Sequence, residues 1–333
     1  MPSESDFFTI LKDKLHNYTP DLIRMRRNFH QFPEPGWCEV RTSSVIADYL
    51  TNLGYHVLTG SDVCLDSSRM GLPSEELLDA YYIRAIEHGA VPEYAQKARH
   101  GFTGVIGILH CGDGPVIGLR FDIDALPIAE ENCISHFPCS EGFSSQNPGF
   151  MHACGHDGHA AIGLTVARIL SEMKSFFSGT VKLIFQPAEE GVRGARSIAE
   201  KGHLNDVHYL LGSHIFPYSS KGEQLGVSVG PTLATTKLNA VFSGLSTHAA
   251  LPEKGHNAML SMASAILNLH AIPRHSGGPS QINVGTAHAG SGRNVICDHA
   301  ELELEVRGGS TEINTYMENY VRTILNASAD LHS

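Results

Sequence analysis

Between Met151 and His159 the run MHACGHDGH places three histidines, a cysteine and an aspartate within nine residues. A thiolate and imidazoles together suit zinc or a similar divalent ion, and Gly155 and Gly158 let the backbone fold tightly enough to aim several donors inward. A His-rich surface turn has the same composition, so Cys154 and His156 are candidate ligands that need company. Three other stretches supply it. FQPAEEG carries the adjacent carboxylates Glu189 and Glu190 after Pro187, GSHIF ends an apolar run at His214, and RFDIDALP sets Asp122 and Asp124 two residues apart, on one face of a strand. Alone, each has an ordinary explanation: an acidic pair is usually solvated, a strand histidine is usually a satisfied core residue, and two aspartates can cap a turn. Together they fall at the carboxyl ends of apolar runs, where open α/β sheets bind ligands. Neighbouring side chains off a strand end point in different directions, so one of Glu189 and Glu190 can bind metal while the other acts as a base.

Those residues require a scaffold, and the apolar periodicity describes one. Helical spacing runs from Asp6 to about Gln31, with Pro20 predicted to break it into two helices. A helix over Val40 to Leu53 closes at Gly54, and Tyr55 to Thr59 reads as a strand. Residues 60–103 read as an insertion whose helix starts after Pro73-Ser74 and stops at Gly89. GVIGILH and PVIGLRFDID are apolar strands, and Gly112-Asp113-Gly114 between them predicts a hairpin. HDGHAAIGLTVARILSEM is helical, while TVKLIFQ and YLLGSHIF are strands. From residue 231 the order becomes strand (Thr236 to Phe242), helix (Asn257 to Leu269), strand (Gln281 to Ala287), strand (Ala300 to Val306), helix (Glu312 to Ala329). That βαββα order is one strand short of a ferredoxin-like sandwich.

The 333 residues are enough for two cores, predicted as a metal-binding α/β domain over 1–230 and an α+β domain over 231–333. With 42% apolar and 18% charged residues the chain has a globular composition. The net charge of −11 argues against nucleic acid or an anionic membrane as partner and favours a small molecule. Seven cysteines without a CxxC pair do not make a disulfide framework. The N-terminus has acids where a signal peptide has basic residues, and no apolar run spans a bilayer, so a cytoplasmic location is expected.

In the order RRNFHQFPEPG, LRFDIDALP, MHACGHDGH, LIFQPAEEG, THAALPEKGHNA and GRNV, the sequence resembles the M20 metallopeptidase group, amidohydrolase branch, over essentially its whole length. The resemblance implies an M20-type catalytic α/β domain with an inserted ferredoxin-like lid and dimerisation domain. It implies two divalent metal ions, manganese or zinc, held by Cys154, His156, Glu190 and His214, with Cys154 bridging. Glu189 matches the general base and Asp124 the carboxylate that orients the site, while Asp122 stands where other M20 branches have a histidine ligand. His248 matches the histidine that reaches the reaction centre of the partner subunit, and Asn294 and Arg307 match positions that grip a substrate carboxylate. The implied reaction is metal-assisted hydrolysis of an amide to a free amino acid, with the ions acidifying water and polarising the carbonyl. Within the branch the resemblance points to p-aminobenzoyl-glutamate, a folate breakdown product, cleaved by a homodimer or a heterodimer with a homologous subunit.

Family members continue beyond the point reached at Ser333, to a closing lid strand and a last histidine ligand near their C-terminus. His332, at the end of the second lid helix, does not match that ligand. The expectation is therefore a C-terminally truncated form in which one metal binds weakly and activity is impaired. A non-catalytic metal-binding or partner subunit is the alternative reading, and a thiol redox role for Cys154 is weaker because no resolving cysteine lies near it.

Overall fold

A computed structural model describes residues 4–216, 224–226 and 232–333. Two compact units, Met1–Ser219 and Ser220–Ser333, divide the chain. The boundary expected at 230 lies outside the described residues.

The first unit runs α1 (Glu4–Gln31), α2 (Val40–Asn52), β1 (His56–Thr59), α3 (Glu75–Glu87), α4 (Pro92–Ala98), β2 (Val105–His110), β3 (Val116–Asp122), α5 (Phe137–Ser140), α6 (His156–Glu172), β4 (Thr180–Gln186), α7 (Ala195–Glu200) and β5 (Tyr209–Gly212). The break expected at Pro20 does not occur, and α1 is one helix with the proline inside it. Proline removes the amide that would reach the carbonyl of His16. His16 and Pro20 are both exposed, so that carbonyl faces water, and the Thr19 hydroxyl donates to the Leu15 carbonyl at 2.7 Å in the same turn. On one side of Pro20 the Tyr18 hydroxyl donates to Glu172 at 2.8 Å, and on the other Arg168 pairs with Asp21 at 3.1 Å. Anchored to α6 before and after the proline, the helix has no freedom to separate there.

The sheet order is β1-β2-β4-β3-β5. β4 runs antiparallel to β2 and parallel to β3, which is parallel to β5. The expected β2–β3 hairpin is therefore wrong, because β4 lies between its two arms. From Val181 to Gln186 every residue of β4 is buried on both faces, which requires a central position. The Gly112-Asp113-Gly114 reversal does form, but it wraps the entry to β4. The amide of Cys111 donates to the Gly179 carbonyl at 2.8 Å, that of Gly179 to Gly112 at 3.1 Å, and that of Thr180 to Pro115 at 3.0 Å. The turn residues specified a reversal, and burial decided the pairing.

One face of the sheet packs Phe121, Leu183 and Phe185 against Phe29, Ile46, Leu50 and Leu164 of the surrounding helices. The other packs Ile106 and Ile184 against Trp37, Val63, Leu78 and Tyr81. The predicted insertion, residues 60–103, thus supplies cover for the second face. Its helix α3 starts where the sequence places it, with Ser74 as N-cap accepting from the Leu77 amide. β5 forms one edge, and its Tyr209, Leu210 and Leu211 are exposed.

The second unit runs β6 (Ala234–Ser243), α8 (Ala258–His270), β7 (Ser280–Ala289), β8 (His299–Gly308) and α9 (Thr311–Leu331). This is the expected βαββα order. Both pairings in the antiparallel sheet β6-β8-β7 involve β8. Strand alternation puts Ala300, Leu302, Leu304 and Val306 under α8 and α9, packed with Ala265, Leu269, Met317 and Val321. Asn257 and Ser310 cap the two helices through their side chains. No described helix is long and apolar enough to cross a membrane.

Candidate metal centre

The site is built where α6 begins and β3 and β4 end. Gly155, at φ +87, is the N-cap of α6 and turns the chain so that Cys154 and His156 stand on either side of the bend. Donor atoms of Cys154, His156 and Glu190 lie within 4.8 Å of one another. The ring nitrogens of His156 and Oε1 of Glu190 are buried and have no hydrogen-bond partner. His156 Nε2 stands 3.8 Å from Glu189 Oε2 and 4.0 Å from Glu190 Oε1. Those gaps are too long for hydrogen bonds, whereas ligands of one tetrahedral ion sit about 3.4 Å apart. Unpartnered imidazole and carboxylate atoms beside a thiol, all around one point, fit a divalent cation. Cys154 Sγ also stands 3.5 Å from His214 Nε2, so it has candidate ligands on two sides.

Two buried carboxylates hold the acidic turn. Asp124 accepts the amides of Glu189 at 3.0 Å and Glu190 at 2.9 Å, and its Oδ1 lies 3.3 Å from His156 Nδ1. Asp124, expected from the resemblance to orient the site, thus touches a histidine and the backbone of both glutamates. Ala188, immediately before them, is fully buried at φ +47, a conformation costing a non-glycine residue about 1 kcal/mol. Glu39 accepts the Ala188 amide at 2.7 Å and the Thr103 hydroxyl at 2.6 Å, which pins the strained residue.

Electrostatics follow from this crowding. Burial works to raise Asp122, but the hydrogen bond from His159 and the charges of His156 and Arg120 outweigh it and hold the carboxyl at about 2. Burial works to lower His156, and the carboxylates of Asp124, Asp122 and Glu190 push it instead to about 9. Burial, then the Glu190 carboxylate, pushes the Cys154 thiol up to about 12. The protein alone therefore disfavours the thiolate, and a cation would supply the missing positive charge. Burial and the Asp122 charge raise Glu189, the direction that suits a proton acceptor.

The remaining predicted residues stand on the second unit. Loops bearing His248 and Asn294 pair through a His248–Val295 bridge, and the Ala249 amide donates to the Asn294 carbonyl at 3.0 Å. Arg307 is not with them in this unit: it lies near the far end of β8, paired with Glu305 at 2.7 Å. There it lines an open cavity of 380 Å³ together with Arg274, Gln281 and Asn283. His332 contacts Ser264 Oγ at 2.7 Å.

Sequence reasoning missed Glu39, His159, Arg120 and His30. His159 was visible only as one more imidazole of the cluster; its ring joins Asp122 and the Ile215 amide. Arg120 donates to Asp122 at 2.6 Å and to Gln186 at 2.9 Å, across two strand ends. His30 reaches Asp157 at 2.8 Å and Glu130 at 2.9 Å, tying α1 to the first turn of α6. The available signal was a charged residue inside an otherwise apolar stretch, as with Glu39 in PGWCEV and Arg120 in IGLRFD.

An α/β unit with this donor cluster at its strand ends belongs by layout to the α/β proteins with a metal-type site at the carboxyl ends of their strands. The model of peptidase family M20/M25/M40 matches residues 118–332, and the chain belongs to that family. It is 44% identical to one of the subunits of p-aminobenzoyl-glutamate hydrolase from Escherichia coli strain K12, over 97% of this chain and 74% of that protein. It is 42% identical to the indole-3-acetyl-aspartic acid hydrolase of Enterobacter agglomerans, over 97% of this chain and 74% of the relative. Among solved structures, an aminobenzoyl-glutamate utilization protein from Klebsiella pneumoniae superposes with a TM-score of 0.76 at 38% identity, covering 97% of this chain and 75% of that one. A dinuclear metal-binding peptidase of the M20 family from Bacillus subtilis superposes with a TM-score of 0.59 at 28% identity, covering 95% and 72%.

Proposed function

We propose that this chain belongs to a metal-dependent amidohydrolase that cleaves p-aminobenzoyl-glutamate to p-aminobenzoate and glutamate. The observation that carries the reading is the cluster of Cys154 with the unpartnered His156 and Glu190, beside a second, partly exposed carboxylate, Glu189, in a chain 44% identical to a hydrolase named for that substrate. Cys154, His156, Glu190 and His214 would hold two divalent ions, manganese or zinc. When bound, the ions supply Lewis acidity at the amide carbonyl and make a neighbouring water more acidic. Glu189 takes the proton of that water and returns it to the leaving amine. Asp124 holds the backbone of both glutamates and sets a carboxylate 3.3 Å from His156 Nδ1.

On the second unit, His248 is proposed as donor to the developing oxyanion at a partner subunit's centre, and Asn294 and Arg307 as contacts to the substrate carboxylate, which the two, at opposite ends of β8, would make from different chains. Arg307, itself about half exposed, carries a planar guanidinium suited to a carboxylate, and its present partner is the partly buried Glu305. Relatives whose names make them one component of a hydrolase with several subunits support assembly with a homologous chain.

The test is release of p-aminobenzoate from p-aminobenzoyl-glutamate, followed by chromatography, with added manganese or zinc and with indole-3-acetyl-aspartate as competitor substrate. Turnover that disappears in Glu189→Gln while bound metal is retained is the expected result. Metal uptake without turnover on any acyl-amino acid would replace this reading with the non-catalytic partner subunit.

A further inference from the structure

Four donors, Asp122, His156, His159 and His214, come within 4.8 Å of one another, which offers His159 as a ligand. Its hydrogen bonds point elsewhere. Both ring nitrogens are engaged: Nδ1 contacts Asp122 Oδ1, and Nε2 accepts the Ile215 amide at 2.8 Å. Because Nε2 accepts, the ring proton is on Nδ1 and goes to Asp122, whose other oxygen takes the Arg120 guanidinium at 2.6 Å. Asp122 is fully buried and His159 is 2% exposed, so water does not replace either bond.

The other backbone group of Ile215 completes a line. Its carbonyl accepts His214 Nδ1 at 2.7 Å, which turns His214 Nε2 toward Cys154 Sγ, 3.5 Å away. Ile215 is seated from the side as well, since a Cβ on Gly158 would come within 2.6 Å of Ile215 Cδ1. We propose that His159 is a positioning residue and not a ligand: locked by Asp122, it holds the Ile215 backbone, and Ile215 aims the His214 imidazole at Cys154. In this role Asp122 serves the centre through hydrogen bonds. The inference rests on the metal-centre reading above.

The test is a double-mutant cycle on the affinity of the full 333-residue chain for Zn²⁺, measured by competition with a chromophoric chelator, together with hydrogen exchange over residues 213–216. His159→Ala is expected to weaken Zn²⁺ binding by about 10- to 100-fold and to speed exchange over 213–216. His159→Ala combined with His214→Ala should bind no more weakly than His214→Ala alone, because the first residue acts through the second. In His159→Gln the amide oxygen can accept from Ile215 while the amide nitrogen faces Asp122, so affinity and slow exchange should recover. That variant keeps the proposal open to refutation if His159→Ala does not fold. A further loss of about tenfold or more in the double variant, or a Gln variant as weak as the Ala variant, would overturn the positioning role and leave the metal centre standing. Unchanged Zn²⁺ affinity in His214→Ala would overturn the metal-centre reading and this one with it.

Discussion

Replacing Asp124 by Asn removes one oxygen from the tightest junction in the site. Asp124 is 1% exposed and uses one carboxylate oxygen for the Glu189 amide, at 3.0 Å, and the other for the Glu190 amide, at 2.9 Å. It also stands 3.3 Å from His156 Nδ1. An asparagine can accept from one of the two amides and must present its own N–H₂ to the other. Loss of a hydrogen bond to a charged acceptor costs about 2 kcal/mol, and the stranded, partly buried amide about 1 kcal/mol more, for a total of about 3 kcal/mol. If the turn keeps its shape, the cost appears as lower stability with metal affinity nearly unchanged. If the turn swings to find another acceptor, Glu190 leaves His156 and metal affinity falls by about 100-fold, since each tenfold is about 1.4 kcal/mol. The second outcome is favoured because Asp124 alone holds the amides of the two residues that follow the strained Ala188, which itself stays pinned by Glu39. Urea denaturation at constant m-value, with and without Zn²⁺, separates the two contributions. A stability within about 0.5 kcal/mol of the parent, together with unchanged metal affinity, falls inside the range of ordinary surface substitutions and would refute this account of Asp124.

Three further outcomes follow from the same geometry. Glu39→Ala strands the Ala188 amide and the Thr103 hydroxyl in a buried space and should lose about 2–4 kcal/mol, whereas Glu39→Gln, which can satisfy both, should lose less than half of that; chemical denaturation reads the difference. Burial pushes Glu34 up to about 7 from the ordinary 4.5, even though it accepts the Arg41 and Thr42 amides. The folded state therefore holds a proton that the unfolded state releases. The contribution to stability is complete below about pH 4.5 and is lost as pH rises toward 7, by up to about 3 kcal/mol. Stability measured against pH should lose this slope in Glu34→Gln, and an unchanged slope would contradict it. Pro20→Ala restores an amide for the His16 carbonyl in an already continuous helix, so the melting temperature should rise, with a gain of about 1–3 kcal/mol; a fall would mean that the proline is needed where it stands.

The sequence by itself determined the approximate ends of most elements and a short set of candidate donors. Capping residues Ser74, Asn257 and Ser310 sit where the predicted helices begin, because a side chain that satisfies an orphan amide acts over three residues and needs no tertiary context. The strict alternation of β8 is local in the same way. Cys154, His156, His214 and the pair Glu189 and Glu190 stood out as candidate donors because few other uses put thiol, imidazole and paired acids at successive strand and helix ends, while the choice of Glu190 over Glu189 as ligand came only from the family resemblance. Tertiary structure decided the rest. The Gly112-Asp113-Gly114 turn reverses the chain in either topology, and only the burial of β4 on both faces chose against the hairpin. Pro20 weakens a helix locally, and contacts to Glu172 and Arg168 on either side of it kept the helix whole. The division of labour among the histidines was likewise invisible in MHACGHDGH: His156 is left without hydrogen bonds, while His159 is committed to Asp122 and Ile215. Which imidazole stays free depends on chain segments some 35 to 60 residues away, and spacing along the chain carries no information about those distances.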